Sequence, residues 1–166
     1  MTSTGTSPLD SMACFALYSA SNAVGQAHRA ALAPWNLTYT QYIALVVLAD
    51  AAAPADASAG AGASAGLTVG ELGTRLGLDS GTLSPLLRRL EARGLVARER
   101  VSADERVVTV SLTDAGRTTR AELAEAVACL TPAYGLGSVD ELHQLIASLR
   151  GIAEGMRSQA SALTSA

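Results

Sequence analysis

The stretch LTVGELGTRLGLDSGTLSPLLRRLEARGLVARERVSADERVVTVSL, residues 67–112, decides the fold. The segment TVGE near its start is a capping box, which predicts a short helix that ends at about Leu76. A second helix is predicted from Asp79 or Ser80 to about Arg93, where a glycine follows. A tight turn separates the two, so together they predict a helix-turn-helix.

Two alternating segments follow these helices. LVARERV at 95–101 and RVVTVSL at 106–112 alternate apolar and polar residues on either side of SADE, which predicts a β-hairpin. A helix-turn-helix followed by a hairpin is a winged helix-turn-helix. The predicted fold class is therefore mostly α with a small β-hairpin wing.

The rest of the chain is predicted to be helical apart from one loop. Apolar residues recur at spacings of three and four in segments at about 8–32, 38–49, 114–130 and 138–159. Thr113 is the predicted cap of the third segment, and Ser138-Val-Asp-Glu141 is a second capping box. The segment AAAPADASAGAGASAG, residues 51–66, has no large side chain and predicts a flexible loop.

Composition indicates a globular chain of 166 residues, with 49% hydrophobic and 16% charged residues. The net charge of −3 gives no global sign of a nucleic-acid partner. All 12 basic residues are arginine, however, and six of them lie between 88 and 106 with four acids, a local charge of +2. The N-terminus has no signal-peptide pattern, and the longest apolar run, YIALVVLA at 42–49, is too short to span a bilayer. These features predict a cytoplasmic protein without membrane contact.

The second helix carries the candidate DNA-binding residues. Small hydroxyl side chains near a helix N-terminus can approach phosphates and base edges, and arginines one turn further on can reach phosphate or a guanine edge. A single arginine at a hairpin tip can enter a narrow minor groove. The candidates are Ser80, Thr82, Ser84, Pro85, Arg88, Arg89 and, at the hairpin tip, Arg106. The alternative is a solvated amphipathic helix and hairpin with ordinary surface arginines.

Cysteines and histidines are few. Two cysteines, Cys14 and Cys129, do not make a disulfide framework, and with His28 and His143 they show no metal-ligand spacing. No metal or cofactor is expected. Cys14 is predicted to lie about two turns into its helix, beyond the main reach of the helix dipole. From their own surroundings in the sequence, both cysteines are interpreted as small buried residues.

Four segments carry a resemblance to a known family. LDSGTLSPLLRRLE at 78–91, ADER at 103–106, CFALYSAS at 14–21 and LTYTQY at 37–42 resemble MarR-type regulators, and most closely their organic hydroperoxide-sensing OhrR branch. The resemblance covers roughly residues 12–158 apart from the 51–66 loop. It implies a homodimer that binds a pseudo-palindromic double-stranded DNA operator.

The same resemblance implies a domain organisation. Residues 1–166 would be one MarR-type domain, with 67–113 as the winged helix-turn-helix lobe and 8–50 and 114–160 supplying the dimerisation helices. The first and last helices agree with this, because they carry more apolar positions than the small lobe could cover.

In that branch a cysteine at the position of Cys14 is the peroxidatic thiol, held by tyrosine hydroxyls of the partner subunit. Tyr39 matches one of these tyrosines, whereas His28 replaces the other, which puts the peroxide selectivity in doubt. Tyr18 lines the same pocket or packs in the core. Cys129 resembles the resolving cysteine of the two-cysteine subgroup. The implied mechanism is oxidation of Cys14, an intersubunit disulfide with Cys129, and release of the operator.

Two other functions stay open. Many MarR relatives respond to small phenolic or other aromatic acids, and both cysteines would then be packing residues. A thiol peroxidase would also use Cys14 and Cys129, but it leaves the arginine cluster and the 78–91 match without a role. The chain is therefore predicted to be a regulator and not an enzyme.

Overall fold

The computed structural model describes residues 7–52, 66–100 and 107–165. The chain divides into two compact units, residues 1–129 and 130–166. Most of the predicted 51–66 loop and the tip of the predicted hairpin, with Arg106, lie outside the described residues.

The first unit has five α-helices and three strands among its described residues. These are α1 (Ala13–Leu32), α2 (Tyr39–Ala52), β1 (Leu67–Thr68), α3 (Val69–Leu76), α4 (Ser80–Ala92), β2 (Val96–Arg100), β3 (Val108–Leu112) and α5 (Asp114–Ala128). The second unit contributes α6 (Val139–Thr164). The mostly helical class and the winged helix-turn-helix are therefore confirmed.

The first α-helix begins later than predicted. Pro8–Ser11 form a 3-10 turn, and α1 begins at Ala13, with Met12 as its N-cap. The turn keeps residues at three-residue spacing, which continues the helical pattern in the sequence. The prediction that Cys14 lies two turns into the helix is therefore wrong. It lies in the first turn, where the aligned peptide dipoles favour negative charge.

The sheet contains the predicted hairpin and one further strand. β2 and β3 pair antiparallel, with Val96 opposite Leu112, and β1 adds to the other edge of β3, with Leu67 opposite Val110. The strand β1 was not predicted, because a pair of residues carries no readable alternation. It ties the start of α3 directly to the hairpin.

Capping fixes the beginnings of α3 and α5. Thr68 and Glu71 form the predicted capping box, and Gly77 ends α3 with a positive φ of 65°. At α5 the Thr113 hydroxyl accepts from the Gly116 N–H at 3.0 Å and donates to the Gly94 carbonyl at 2.6 Å. Thr113 therefore caps α5 as predicted and also joins it to the turn that follows α4.

One apolar core holds the first unit together. It consists of buried side chains from every helix and strand of the unit: Leu32, Leu37, Ala44, Leu45, Leu48, Leu67, Leu72, Leu83, Leu86, Leu87, Leu90, Leu95, Val96, Val110, Leu112 and Leu123. α4 supplies four of these leucines, with spacings of three, one and three, so its opposite face is left for solvent.

The second unit has no buried residue in its 26-residue helix α6. The Ser138 hydroxyl accepts from the Glu141 N–H at 3.2 Å, as a cap should. The predicted capping box is nevertheless incomplete, because the Glu141 carboxylate accepts from the Gly137 N–H at 2.7 Å instead of from the N-cap. The helix also continues to Thr164, beyond the predicted end near 159. None of the described helices is long and apolar enough to cross a membrane.

Candidate DNA-binding face and thiol sites

The N-terminus of α4 is organised by Asp79. One carboxylate oxygen of Asp79 accepts from the Thr82 N–H at 2.9 Å, and the other accepts from the Thr82 hydroxyl at 3.1 Å. Ser80 and Thr82 are exposed, and Ser84 is half-buried. The Thr82 hydroxyl hydrogen is thus used within the cap, which leaves its oxygen as an acceptor.

The two hydrogen bonds from Thr82, the backbone one first, lower the pKa of Asp79 below its ordinary value. A depressed folded-state pKa stabilises the fold above the ordinary aspartate pKa of about 3.9, and this stabilisation is lost as the pH falls through the folded value. We expect Asp79→Asn, which keeps a capping oxygen, to flatten the decline in unfolding free energy between about pH 5 and pH 3. Urea unfolding at each pH measures this, and a decline as steep as that of the wild type would contradict the assignment.

Pro85 lies inside α4 and is half-buried. It cannot donate the backbone hydrogen bond that position 85 of a helix would give to Gly81. Pro85 therefore gives the first turn of α4 no backbone hydrogen bond from position 85.

The arginines near α4 fall into two groups. Arg88 and Arg89 are exposed and have no hydrogen-bond or ion-pair partner within the described part of the chain. By contrast, Arg98 on β2 donates from Nε and Nη2 to the Glu91 carboxylate at 2.9 and 2.6 Å. Arg93, at the end of α4, donates to two backbone carbonyls. Thus Arg88 and Arg89 are the candidates free to meet DNA, whereas Arg98 joins β2 to α4 and Arg93 joins the end of α4 to the connection between α1 and α2.

Sequence reasoning missed the roles of Arg93 and Arg98, which it counted with the basic cluster. The Arg93 contacts bridge 57 and 58 positions in the chain, and no local pattern predicts a contact at that separation. For Arg98 a weak signal exists, because α4 is followed closely by β2 and Glu91 stands seven residues before it.

Both cysteine thiols are free and exposed in the protomer. The interpretation of each as a buried small residue is therefore wrong for the single chain. Cys14 lies on the exposed side of the first turn of α1, and Cys129 follows the last residue of α5. The Cys129 thiol donates to the Ala126 carbonyl at 3.0 Å. A small oxidant can reach a thiol on the surface, whereas it could not reach a thiol in the core.

The structure brings together two of the three predicted pocket residues. The rings of His28 and Tyr39 meet edge to face, with centroids 4.5 Å apart. His28 is 5% exposed, and its Nδ1 lies 2.8 Å from the Val24 carbonyl. Tyr18 is 64% exposed and has Phe15 as a ring neighbour at 6.5 Å. Because α1 is continuous from Ala13 to Leu32, His28 lies about 21 Å along the helix from Cys14 of its own chain.

The hydrogen bond of His28 defines its tautomer. A carbonyl oxygen can only accept, so Nδ1 carries the hydrogen and donates it to Val24. Nε2 of the neutral ring is then an acceptor, and it becomes a donor only when the imidazole is protonated. Among the described residues, no group of three or more His, Cys, Asp or Glu could hold a metal ion.

Known proteins resemble this chain in sequence. The family model described as "Transcriptional regulator SarA/Rot" matches residues 30–123. The HTH-type transcriptional regulator TtmR of Methylorubrum extorquens (strain PA1) is 50% identical over 109 residues, 66% of this chain and 49% of that protein. The organic hydroperoxide resistance transcriptional regulator of Bacillus subtilis (strain 168) is 39% identical over 108 residues, 65% of each. MgrA of Staphylococcus aureus, an HTH-type transcriptional regulator, is 36% identical over 133 residues, 80% of this chain and 81% of MgrA.

Solved structures agree with the sequence matches. The transcriptional repressor CouR bound to a 23-mer DNA duplex has a TM-score of 0.73 at 30% identity and covers 87% of this chain and 94% of CouR. Reduced AbfR bound to DNA has a TM-score of 0.69 at 29% identity and covers 86% of this chain and 90% of AbfR.

A three-stranded wing that follows a helix-turn-helix is the architecture of a winged-helix protein. The chain belongs to the MarR/SarA family of winged-helix transcriptional regulators. The matched segments span about half of TtmR and about two thirds of the B. subtilis regulator. The relatives are regulators of transcription and not enzymes.

Proposed function

We propose that the chain forms a dimeric repressor that leaves its operator when an organic hydroperoxide oxidises Cys14. The observation that carries the redox part is the free, exposed thiol of Cys14 in the first turn of α1. Two relatives support it by name: the B. subtilis organic hydroperoxide regulator, and AbfR, of which an overoxidised form bound to DNA is known.

The DNA-binding part of the proposal places α4 in the major groove of the operator. The exposed N-terminal turn with Ser80 and Thr82 would approach the backbone, and Arg88 and Arg89 would divide phosphate and base contacts between them. Ser84 and Pro85 line the same face of the helix start, and Arg106 remains a proposed minor-groove contact at the wing tip. Arg88 and Arg89 suit an anionic partner, because neither forms an ion pair with an acid among the described residues.

The dimer is proposed from apolar surface that each unit leaves exposed. In the first unit the exposed large apolar residues include Leu9, Met12 and Phe15 at the start of the chain. In the second unit, α6 exposes the following apolar side chains along its length: Val139, Leu149, Ile152, Met156 and Leu163. A 26-residue amphipathic helix with nothing buried needs a partner surface. We propose that a second copy of the chain supplies it and covers both α6 and the apolar start of the chain.

The proposed chemistry balances in two steps. The Cys14 thiolate attacks the terminal oxygen of the hydroperoxide, the O–O bond breaks, and an alcohol leaves after taking a proton, so that Cys14 becomes a sulfenic acid. The thiol of Cys129 from the partner subunit then attacks the Cys14 sulfur, a disulfide forms, and water leaves. A dithiol reductant returns both cysteines to thiols. The disulfide would move α1 and α5, and with them the recognition helices.

The pocket around the thiol is proposed to include Tyr39 and His28 of the partner subunit, together with Tyr18, which lies one turn after Cys14 on the same helix. His28 changes what this pocket offers. A tyrosine hydroxyl would donate to a thiolate, whereas neutral His28 presents an accepting Nε2, because its Nδ1 hydrogen is used by Val24. His28 therefore suits acceptance of the thiol proton, after which the imidazolium would pair with the thiolate.

A second candidate is release by a small aromatic acid. The observation in its favour is an open cleft of about 470 Å³ beside α4, lined by Thr68, Val69, Gly70, Ser84, Leu87, Arg98, Val107 and Val108. Arg98 would be the natural carboxylate partner in this cleft. However, its guanidinium already makes two hydrogen bonds to Glu91, so a ligand carboxylate would have to displace an existing one.

Operator binding before and after oxidation tests the proposal. We expect the reduced wild type to lose its operator on addition of cumene hydroperoxide and to regain it with dithiothreitol. Cys14→Ser should bind the operator throughout. Cys129→Ser, which makes the same change at another exposed thiol, should be oxidised at Cys14 without forming the intersubunit disulfide. Fluorescence anisotropy of a labelled promoter duplex, a non-reducing gel and mass spectrometry of Cys14 measure these outcomes.

Each alternative gives a different result in the same assay. Wild-type binding that is unchanged by hydroperoxide but weakened by salicylate would support the small-ligand function and reject the redox function. Repeated consumption of hydroperoxide with dithiothreitol, without any effect on DNA binding, would indicate a peroxidase instead.

A further inference from the structure

A single arginine joins the end of α4 to the connection between α1 and α2. Arg93 is the C-cap residue of α4, and its guanidinium donates to the Asn36 carbonyl at 3.0 Å and to the Trp35 carbonyl at 2.6 Å. We call residues 33–38 the elbow. One rigid, forked side chain thus holds two consecutive carbonyls of the elbow, a geometry that a flexible ammonium cannot reproduce.

The elbow is itself firmly shaped. Asn36 has a left-handed conformation, with φ 50° and ψ 45°, and its N–H donates to the Ala33 carbonyl at 2.9 Å. The Thr38 N–H donates to the buried Gln41 side chain at 2.9 Å, and Leu37 is 5% exposed. The first bond closes the elbow on itself and the second fastens its end to α2, so the carbonyls held by Arg93 are tied to the first turn of α2.

The elbow is also bonded to the helix that follows the wing. The Trp35 indole N–H donates to the Glu122 carboxylate on α5 at 2.9 Å. The backbone of Trp35 is therefore held by α4 while its side chain is held by α5. The elbow lies between the last turns of α1, which carry His28, and the first residue of α2, Tyr39.

We infer that Arg93 is a positioning residue that couples α4 to the elbow, so that operator binding and the conformation around His28 and Tyr39 influence each other. The inference rests on the proposed function in one respect, namely that α4 is the helix that meets DNA. Coupling between two sites is reciprocal, so its effect can be read at the elbow when DNA binds at α4.

Trp35 is the single tryptophan of the chain, which makes the elbow visible by fluorescence. We would titrate the full-length reduced protein with a labelled promoter duplex, following DNA binding by anisotropy and Trp35 by acrylamide quenching. In the wild type, operator binding should change the quenching of Trp35. In Arg93→Gln the operator Kd should rise about 5-fold or more, and at saturating DNA the change in Trp35 quenching should disappear.

Arg29→Gln is the matched control. Arg29 is an exposed arginine in the last turn of α1, next to the elbow, and the elbow carbonyls accept from Arg93 and not from Arg29. This control variant should keep the Trp35 response. Arg93→Lys keeps the charge but not the fork, and it should reduce the response, which separates geometry from charge. Arg93→Gln and Arg29→Gln should show the same slope of log Kd against log salt, because Arg93 does not contact phosphate in this proposal. Loss of a phosphate contact would lower the slope by about 0.9 per contact.

Three results would overturn the coupling. They are an unchanged Trp35 response in folded Arg93→Gln and Arg93→Lys, a wild type that saturates with operator without any Trp35 response, and a salt slope that identifies Arg93 as a phosphate contact. A wild type that binds no promoter duplex would instead reject the proposed DNA-binding role of α4, and the anisotropy signal distinguishes that failure from the other three.

Discussion

Replacing Arg88 and Arg89 together by alanine should weaken operator binding at least about 100-fold at physiological salt. Both side chains are exposed on α4 and have no partner within the described ranges, so their donors are available to DNA. One bidentate guanine contact is worth about 1–3 kcal/mol, and a dimer with two half-sites would lose every contact twice. Alanine favours helix, so α4 itself should persist.

The single variants should differ in kind. Loss of the arginine that reads a base should relax the preference at one operator position, whereas loss of the phosphate contact should weaken all sequences alike and lower the salt slope by about 1 per contact. Anisotropy titrations at several salt concentrations, on the operator and on a scrambled duplex, measure both. Arg29→Ala removes an equal charge outside α4 and serves as the control. A double variant that binds within threefold of this control would contradict the assignment of α4 as the recognition helix.

The sequence predicts the winged lobe well because its signals are local. A capping box, a glycine stop and two alternating segments lie within 46 consecutive residues, and the structure confirms the helices and the hairpin they predict. The cap of α4 is Asp79 and that of α5 is Thr113. Each helix cap involves residues that are at most four apart, and the two strands of the hairpin pair across at most 16 residues, which is why a single sequence suffices.

The sequence-based predictions fail where a residue's contact partner is distant in the chain, or where two possible hydrogen-bond partners are neighbouring residues. β1 exists because β3 lies beside it, and Arg93 bonds the elbow across 57 residues. Glu141 accepts from Gly137 rather than from Ser138, a choice between neighbouring N–H groups that helix-capping rules do not separate. The exposure of Cys14 belongs to the same class, because an apolar stripe on α1 does not reveal whether its partner is the same chain or another.

In the proposed mechanism, Arg93 and His28 link the pocket that faces the partner's Cys14 to the proposed DNA-binding helix α4 of the same chain. His28 packs on Tyr39 at the start of α2, and the elbow between their helices is held by Arg93 from the end of α4. A disulfide that displaces α1 would therefore act on α4 through an existing contact rather than through a diffuse rearrangement. The contact between Arg93 and the elbow should therefore also influence the operator affinity of the reduced protein.

The second large effect is expected at a glycine, where Gly116→Ala should destabilise the first unit by about 3 kcal/mol. Gly116 is a buried residue in the first turn of α5, and a Cβ placed there would collide with the Leu95 carbonyl oxygen and lie 2.9 Å from its carbon. The Leu112 side chain stands 3.3 Å away on the other side. The obstacle is backbone, so it cannot swing aside as a side-chain end would.

Helix propensity alone predicts the opposite sign, because alanine is favoured over glycine in a helix by up to about 1 kcal/mol. Gly70→Ala provides the matched control: Gly70 occupies the second position of α3, and nothing lies within 4 Å of its added Cβ. Gly70→Ala should change the unfolding free energy by less than about 1 kcal/mol, whereas Gly116→Ala should lower the thermal midpoint by roughly 6–12 °C. Urea and thermal unfolding at one protein concentration measure both. If Gly116→Ala were as stable as Gly70→Ala, the close approach of α5 to the turn after α4 would be wrong, and with it the geometry in which Thr113 joins α5 to that turn.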